Sequence, residues 1–252
     1  MSKVDLIQLP VQSILHIWLV IAVIRSGARR RFPWFFAYCI YAVLGLAARF
    51  LAAISSRRTY FYTYWYTDPG FLLLGIAALH EVFRQVFAGF YLLRWFRWLY
   101  YGGITIVVLI AVVNSLVNRP MNVYPVFGII LDVGIAVNCI QAAIFALFYF
   151  LAKVLDVEFR RHTFGIVLGF GISSIGTLIP YVARSTFGTK FESLVIYAPS
   201  VAYFVSLAVW LSAFLWPEPT QDDQASTKSP EEMAEEVREY LKVLRGFFRK
   251  QE

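Results

Sequence analysis

The sequence predicts an all-α integral membrane protein with seven transmembrane helices, the N-terminus outside, the C-terminus cytoplasmic, and a C-terminal amphipathic helix. Three observations carry this expectation. The chain is 59% hydrophobic and only 15% charged, with a mean hydropathy of +0.63, against roughly 45–50% apolar and 25% charged residues in soluble domains. Seven stretches, roughly 8–25, 33–55, 68–88, 98–117, 124–151, 163–183 and 193–216, are long and apolar enough to span a bilayer, which takes about 20 residues. The basic residues, finally, are divided unequally between alternate loops.

The first stretch follows a leader, MSKVDLIQLP, with one Lys and one Asp. A cleavable signal instead begins with a positive region. Positive charge comes after the span, in Arg25, Arg29, Arg30 and Arg31, as expected of a retained helix entering from outside. The second stretch opens on Pro33 and the aromatics Trp34, Phe35 and Phe36. It carries Arg49 about six residues, or roughly 9 Å, from its outer end. The third follows an aromatic cluster, Tyr60 to Tyr66, that suits a headgroup interface. Asp68-Pro69 reads as its opening, with His80, Glu81, Arg84 and Gln85 deep in the span.

The fourth stretch starts among Trp98, Tyr100 and Tyr101. The fifth has a first-turn proline, Pro125, and then Asp132 and Asn138. In the sixth, Gly165, Gly169, Gly171 and Gly176 are expected to permit close helix approach. Pro180 and Pro199 lie inside the sixth and seventh spans, where a proline bends a helix. The seventh contains no lysine for a retinal Schiff base, unlike the microbial rhodopsins. Its last span has no Asn-Pro-x-x-Tyr, unlike the G-protein-coupled receptors.

The chain thus divides into a membrane domain (1–216), a polar linker (217–229) and a cytoplasmic amphipathic helix (230–252). Ser229-Pro230-Glu231-Glu232 supplies a cap, a first-turn proline and an acid three residues after the cap. Met233, Val237, Tyr240, Leu241, Leu244, Phe247 and Phe248 follow at helical spacing. This apolar face is expected to rest on the bilayer surface, the bundle or a protein partner.

Sixteen basic residues fall in the first, third and fifth loops and the tail, and six on the other side. By the positive-inside rule, the N-terminus is outside. The expected location is a plasma or inner membrane. The formal charge of +7 lies between spans rather than on one soluble face, so no nucleic-acid partner is expected.

No catalytic motif is present, and the expectation is a non-enzymatic protein. Cys39 and Cys139 sit within spans and read as small apolar residues, with no metal-ligand spacing. His16 and His80 are candidate haem ligands between the first and third helices; otherwise no cofactor is indicated. Glu81 and Asn138 lie about thirteen residues, or roughly 20 Å, from the outer ends of their helices, and are expected to face the bundle interior. Arg84 is placed to pair with Glu81 on one helix face. Arg49 and Asp132 lie at similar depth. Either they pair, or Arg49 snorkels outward while Asp132 binds a hydroxyl, water or ligand.

The expected function is that of a receptor, sensor or accessory subunit. The alternative is a small-solute transporter. At an offset of 130, Arg30-Arg31 aligns with Arg160-Arg161, Ala53 with Ala183, Ser55 with Ser185 and Pro69 with Pro199. Two parallel three-helix repeats joined by a fourth helix would resemble the SWEET sugar transporters.

Overall fold

The computed structural model describes residues 3–87, 98, 101, 102, 104–106, 109, 113, 125–154, 160–187, 192–216, 231, 232, 235, 238 and 239. The described elements are all helical: α1 (Lys3–Arg25), a 3-10 turn (Ala28–Arg30), α2 (Pro33–Ser55), α3 (Arg57–Val86), α4 (Pro125–Val154), α5 (Arg161–Phe187) and α6 (Glu192–Leu215). Five of them, α1, α2, α4, α5 and α6, contain segments long and apolar enough to cross a membrane. The expected fourth span, the linker and most of the C-terminal helix lie outside the described residues. Of that last helix, Glu231, Glu232, Glu235, Arg238 and Glu239 are helical and exposed.

Local sequence explains the turns. Gly27 adopts φ 72°, a left-handed conformation open to glycine, and lets α1 turn through the 3-10 segment into α2. Pro33 then occupies the first turn of α2, where its missing N–H costs nothing. A single residue, Ser56, ends α2 and starts α3. Its N–H donates to the Ala52 carbonyl, and its Oγ accepts from the Thr59 N–H at 3.0 Å. This corrects the expected start of the third helix. Asp68-Pro69 does not open it; Pro69 lies inside α3, and the aromatic cluster forms the helix's first turns. Pro125 begins α4, and Pro180 and Pro199 lie inside helices, as their positions imply.

Apolar side chains face outward. On α1, Val11, Ile14, Ile17, Trp18, Ile21 and Ile24 form an exposed stripe at helical spacing, between 41% and 63% accessible. A soluble helix turns such a stripe toward its core; an outward stripe on a helix long and apolar enough to cross a membrane suits a hydrocarbon surrounding. The six helices close a ring in chain order, α1 to α6 and back to α1, with α3 also touching α5.

The tightest pair is α5 with α6. A methyl group at Gly165 would overlap Ala213, one at Gly176 would overlap Ala202, and one at Gly169 would overlap the Trp210 indole. The expected close approach is therefore present at all four glycines, three of them toward α6. Gly171 instead faces Phe145 of α4.

The two ends of the ring differ. Where α1 ends and α2 begins, here termed the basic-loop end, Phe35, Phe83, Phe87, Phe148, Ile166 and Trp210 are buried to 1% exposure or less. Phe35 packs against Phe170, Trp210 and Phe214 with ring centroids 6.3, 5.6 and 5.4 Å apart. The opposite half, where α1, α3, α4 and α6 begin, encloses a cavity.

Helix ends recur along the chain. The helices α1, α2 and α3 end at Arg25, Ser55 and Val86, and α4, α5 and α6 end at Val154, Phe187 and Leu215, which are 129, 132 and 129 residues later.

Candidate functional site

The cavity has a volume of about 690 Å³ and receives side chains from all six helices. It reaches from Gln8 of α1 and Tyr60 of α3, near the N-terminal end, to Tyr38 of α2 and Phe170 of α5. Tyr38 and Phe170 form its floor, and both lie against Trp210, at 5.7 and 5.0 Å between ring centroids. Beneath them is the packed aromatic half. Among the described residues, its lining stops where large rings replace amides and hydroxyls along the helices.

Arg49 and Asp68 form the charged feature of the wall. Arg49 Nη2 meets Asp68 Oδ1 at 3.3 Å and also donates to the Tyr64 carbonyl at 3.3 Å, while Nε donates to Thr67 Oγ1 at 2.8 Å. The guanidinium lies 4.3 Å from the centroid of Tyr64 and 4.9 Å from that of Phe71, within the range of cation–π attraction. Tyr41 donates to the Thr67 carbonyl at 2.8 Å, and Gly70 leaves room for its ring. Every partner except Tyr41 comes from one face of α3, at positions 64, 67, 68 and 71. The one-residue turn at Ser56 brings that face against α2.

Asn138 of α4 lines the cavity as expected, with Nδ2 donating to the Gly134 carbonyl at 2.9 Å. Gln141, one turn deeper, accepts from Ser174 of α5 at 2.7 Å and ties the two helices together.

The other expected site residues lie elsewhere. Glu81 is not beside Asn138; its Oε2 accepts from the N–H groups of Trp34 and Phe35 at 3.0 and 3.3 Å. It satisfies the first turn of α2, where free N–H groups and the helix dipole favour an anion. A start at Asp68 would put it deep in the span, but α3 begins at Arg57, so Glu81 lies at the basic-loop end. Arg84 is exposed and does not pair with Glu81, and Gln85 donates to the Arg31 carbonyl. Arg49 pairs with Asp68 rather than Asp132, and at 8% exposure it does not snorkel. Asp132 is half-buried, does not line the cavity and forms no ion pair among the described residues.

The two histidines are not brought together. His16 is fully buried between α1 and α6, with Nδ1 bonded to the Gln12 carbonyl at 2.9 Å and Nε2 to the Tyr203 hydroxyl at 3.0 Å. A carbonyl only accepts, so Nδ1 carries the proton and Nε2 receives the tyrosine O–H. Neither nitrogen is left for iron. His80, at the basic-loop end, approaches the Tyr101 hydroxyl at 3.4 Å.

Tyr38, Asp68, Gln141 and Tyr203 are site residues that sequence reasoning missed. Only Asp68 carried a signal, as a carboxylate one turn from the aromatic cluster, and it was obscured by the adjacent Pro69. Comparison with protein-family models, curated proteins and solved structures returned no match to this chain.

Proposed function

We propose that this chain is a seven-span, non-enzymatic membrane protein that binds a small solute in its central cavity, as a receptor or sensor. The N-terminus and the cavity mouth face the exterior, and the C-terminal helix couples the bundle to a cytoplasmic partner. The observation that supports this most is a cavity with a mixed polar and aromatic lining that stops, among the described residues, at a packed aromatic core. Its volume of about 690 Å³ lies within the roughly 300–1,000 Å³ of small-molecule sites.

The test is ligand-induced stabilisation of the purified protein, using a library of polar solutes. A binder present at a hundred times its Kd should add about 2.7 kcal/mol to unfolding. Ser173→Trp, which fills the cavity, should remove the response while keeping a cooperative unfolding transition. An unchanged response in Ser173→Trp would place binding elsewhere.

A transporter is the second reading, favoured by the recurrence of helix ends 129, 132 and 129 residues apart. Two parallel three-helix units give a pair of halves that can rock about a central site. Flux of the bound solute into proteoliposomes separates the readings: a transporter moves it, whereas a receptor only holds it.

A further inference from the structure

We propose that the cavity takes a small zwitterion, with an ammonium and a carboxylate on one molecule; this deepens, and rests on, the reading of the cavity as a ligand site. Among the described residues, Arg49 and Asp68 are the only charged side chains that line it, and their two charges cancel. They touch through one 3.3 Å contact between Nη2 and Oδ1. The remaining terminal atoms, Arg49 Nη1 and Asp68 Oδ2, make no hydrogen bond among the described residues. The wall therefore offers a cationic donor beside an anionic acceptor, both uncommitted.

Charge balance narrows the class of ligand. A lone anion or cation would leave one member of the pair, or itself, uncompensated in a low-dielectric site. A zwitterion keeps the sum at zero and gains a charge-assisted bond at each end. The guanidinium is already fixed between Tyr64 and Phe71. Its Nη1 is thus held in place to donate to one oxygen of a carboxylate. Tyr60 and Trp65 line the same cavity, and an aromatic lining suits an ammonium group. Gln8, Gln12 and Ser200 line the remaining wall and can meet the body of the ligand.

The test measures binding of a panel of L-α-amino acids to the full chain in detergent. Each is compared with its N-acetyl form, which lacks the ammonium, and its methyl ester, which lacks the carboxylate. Neutral sugars complete the panel. At least one amino acid should bind about tenfold or more tighter than both of its blocked forms. Asp68→Asn should reduce the preference over the N-acetyl form by about tenfold. Arg49→Lys keeps the charge but loses the separate Nη1 donor, and should weaken amino-acid binding while leaving the unfolding transition in place. Sugars or N-acetyl forms binding as well as free amino acids would overturn the zwitterion and leave the ligand cavity standing. Silence from every compound would overturn both.

Discussion

Arg49 donates to Thr67 and Asp68 on the neighbouring helix α3, not to Asp132 on α4. Equal depth in the bilayer is necessary for a pair but does not say which helix faces which. Asp132 satisfies the depth criterion yet lies off the cavity wall, whereas Asp68 follows the turn that places α3 against α2. Charge was legible in the sequence; adjacency was not, because Asp68-Pro69 mimics a helix start eleven residues after the true one at Arg57. Removing one member of a buried pair leaves the other uncompensated. The Asp68 side chain is 29% exposed, so Asp68→Ala should cost less than a fully buried case, roughly 1–3 kcal/mol. Unfolding in denaturant should show this loss, with Asp132→Ala close to neutral. The double reversal Arg49→Asp with Asp68→Arg should recover part of the yield lost by either single change. If Arg49→Asp is instead rescued by Asp132→Arg, the pairing is wrong.

Two kinds of helix-end and helix-face chemistry hold the elements together. The glycines of α5 were legible because, in lipid, helix association depends on small residues that let backbones approach. What the sequence left open was which partner each one meets. Gly169 faces a large, fully buried indole rather than another small residue. Gly169→Ala must therefore displace Trp210 from its contacts with Phe35, Tyr38 and Phe170. Overpacking of this kind costs about 1–3 kcal/mol. Gly102, which has nothing within 4 Å of an added methyl among the described residues, is the control and should tolerate alanine. At the basic-loop end, Glu81 caps α2 from α3. Glu81→Ala should cost about 1 kcal/mol by analogy with a lost cap, and Glu81→Gln should cost less because an amide oxygen still accepts. Equal losses in the two variants would show that charge, not the hydrogen bonds, is what α2 needs there.

At the scale of the whole molecule, membrane class was legible because apolar stretches and basic loops are properties of the chain itself. The cavity was not, because it depends on which faces of six helices converge. Its wall combines Gln8, Arg49, Asp68, Asn138 and Ser200, residues scattered over five helices. The proposed orientation and the cavity can be tested together. With Cys139 replaced by alanine, only the buried Cys39 remains of the native thiols. Thr177→Cys and Ser200→Cys then place single thiols on the cavity wall, and Val167→Cys places one in the packed half, where Val167 is 1% exposed. A membrane-impermeant maleimide added to intact cells should label positions 177 and 200 but not 167. Labelling that appears only after permeabilisation would reverse the orientation while keeping the cavity. Labelling of 167 from the inner face as well would show that the aromatic floor opens, as alternating access requires of a transporter and a receptor does not.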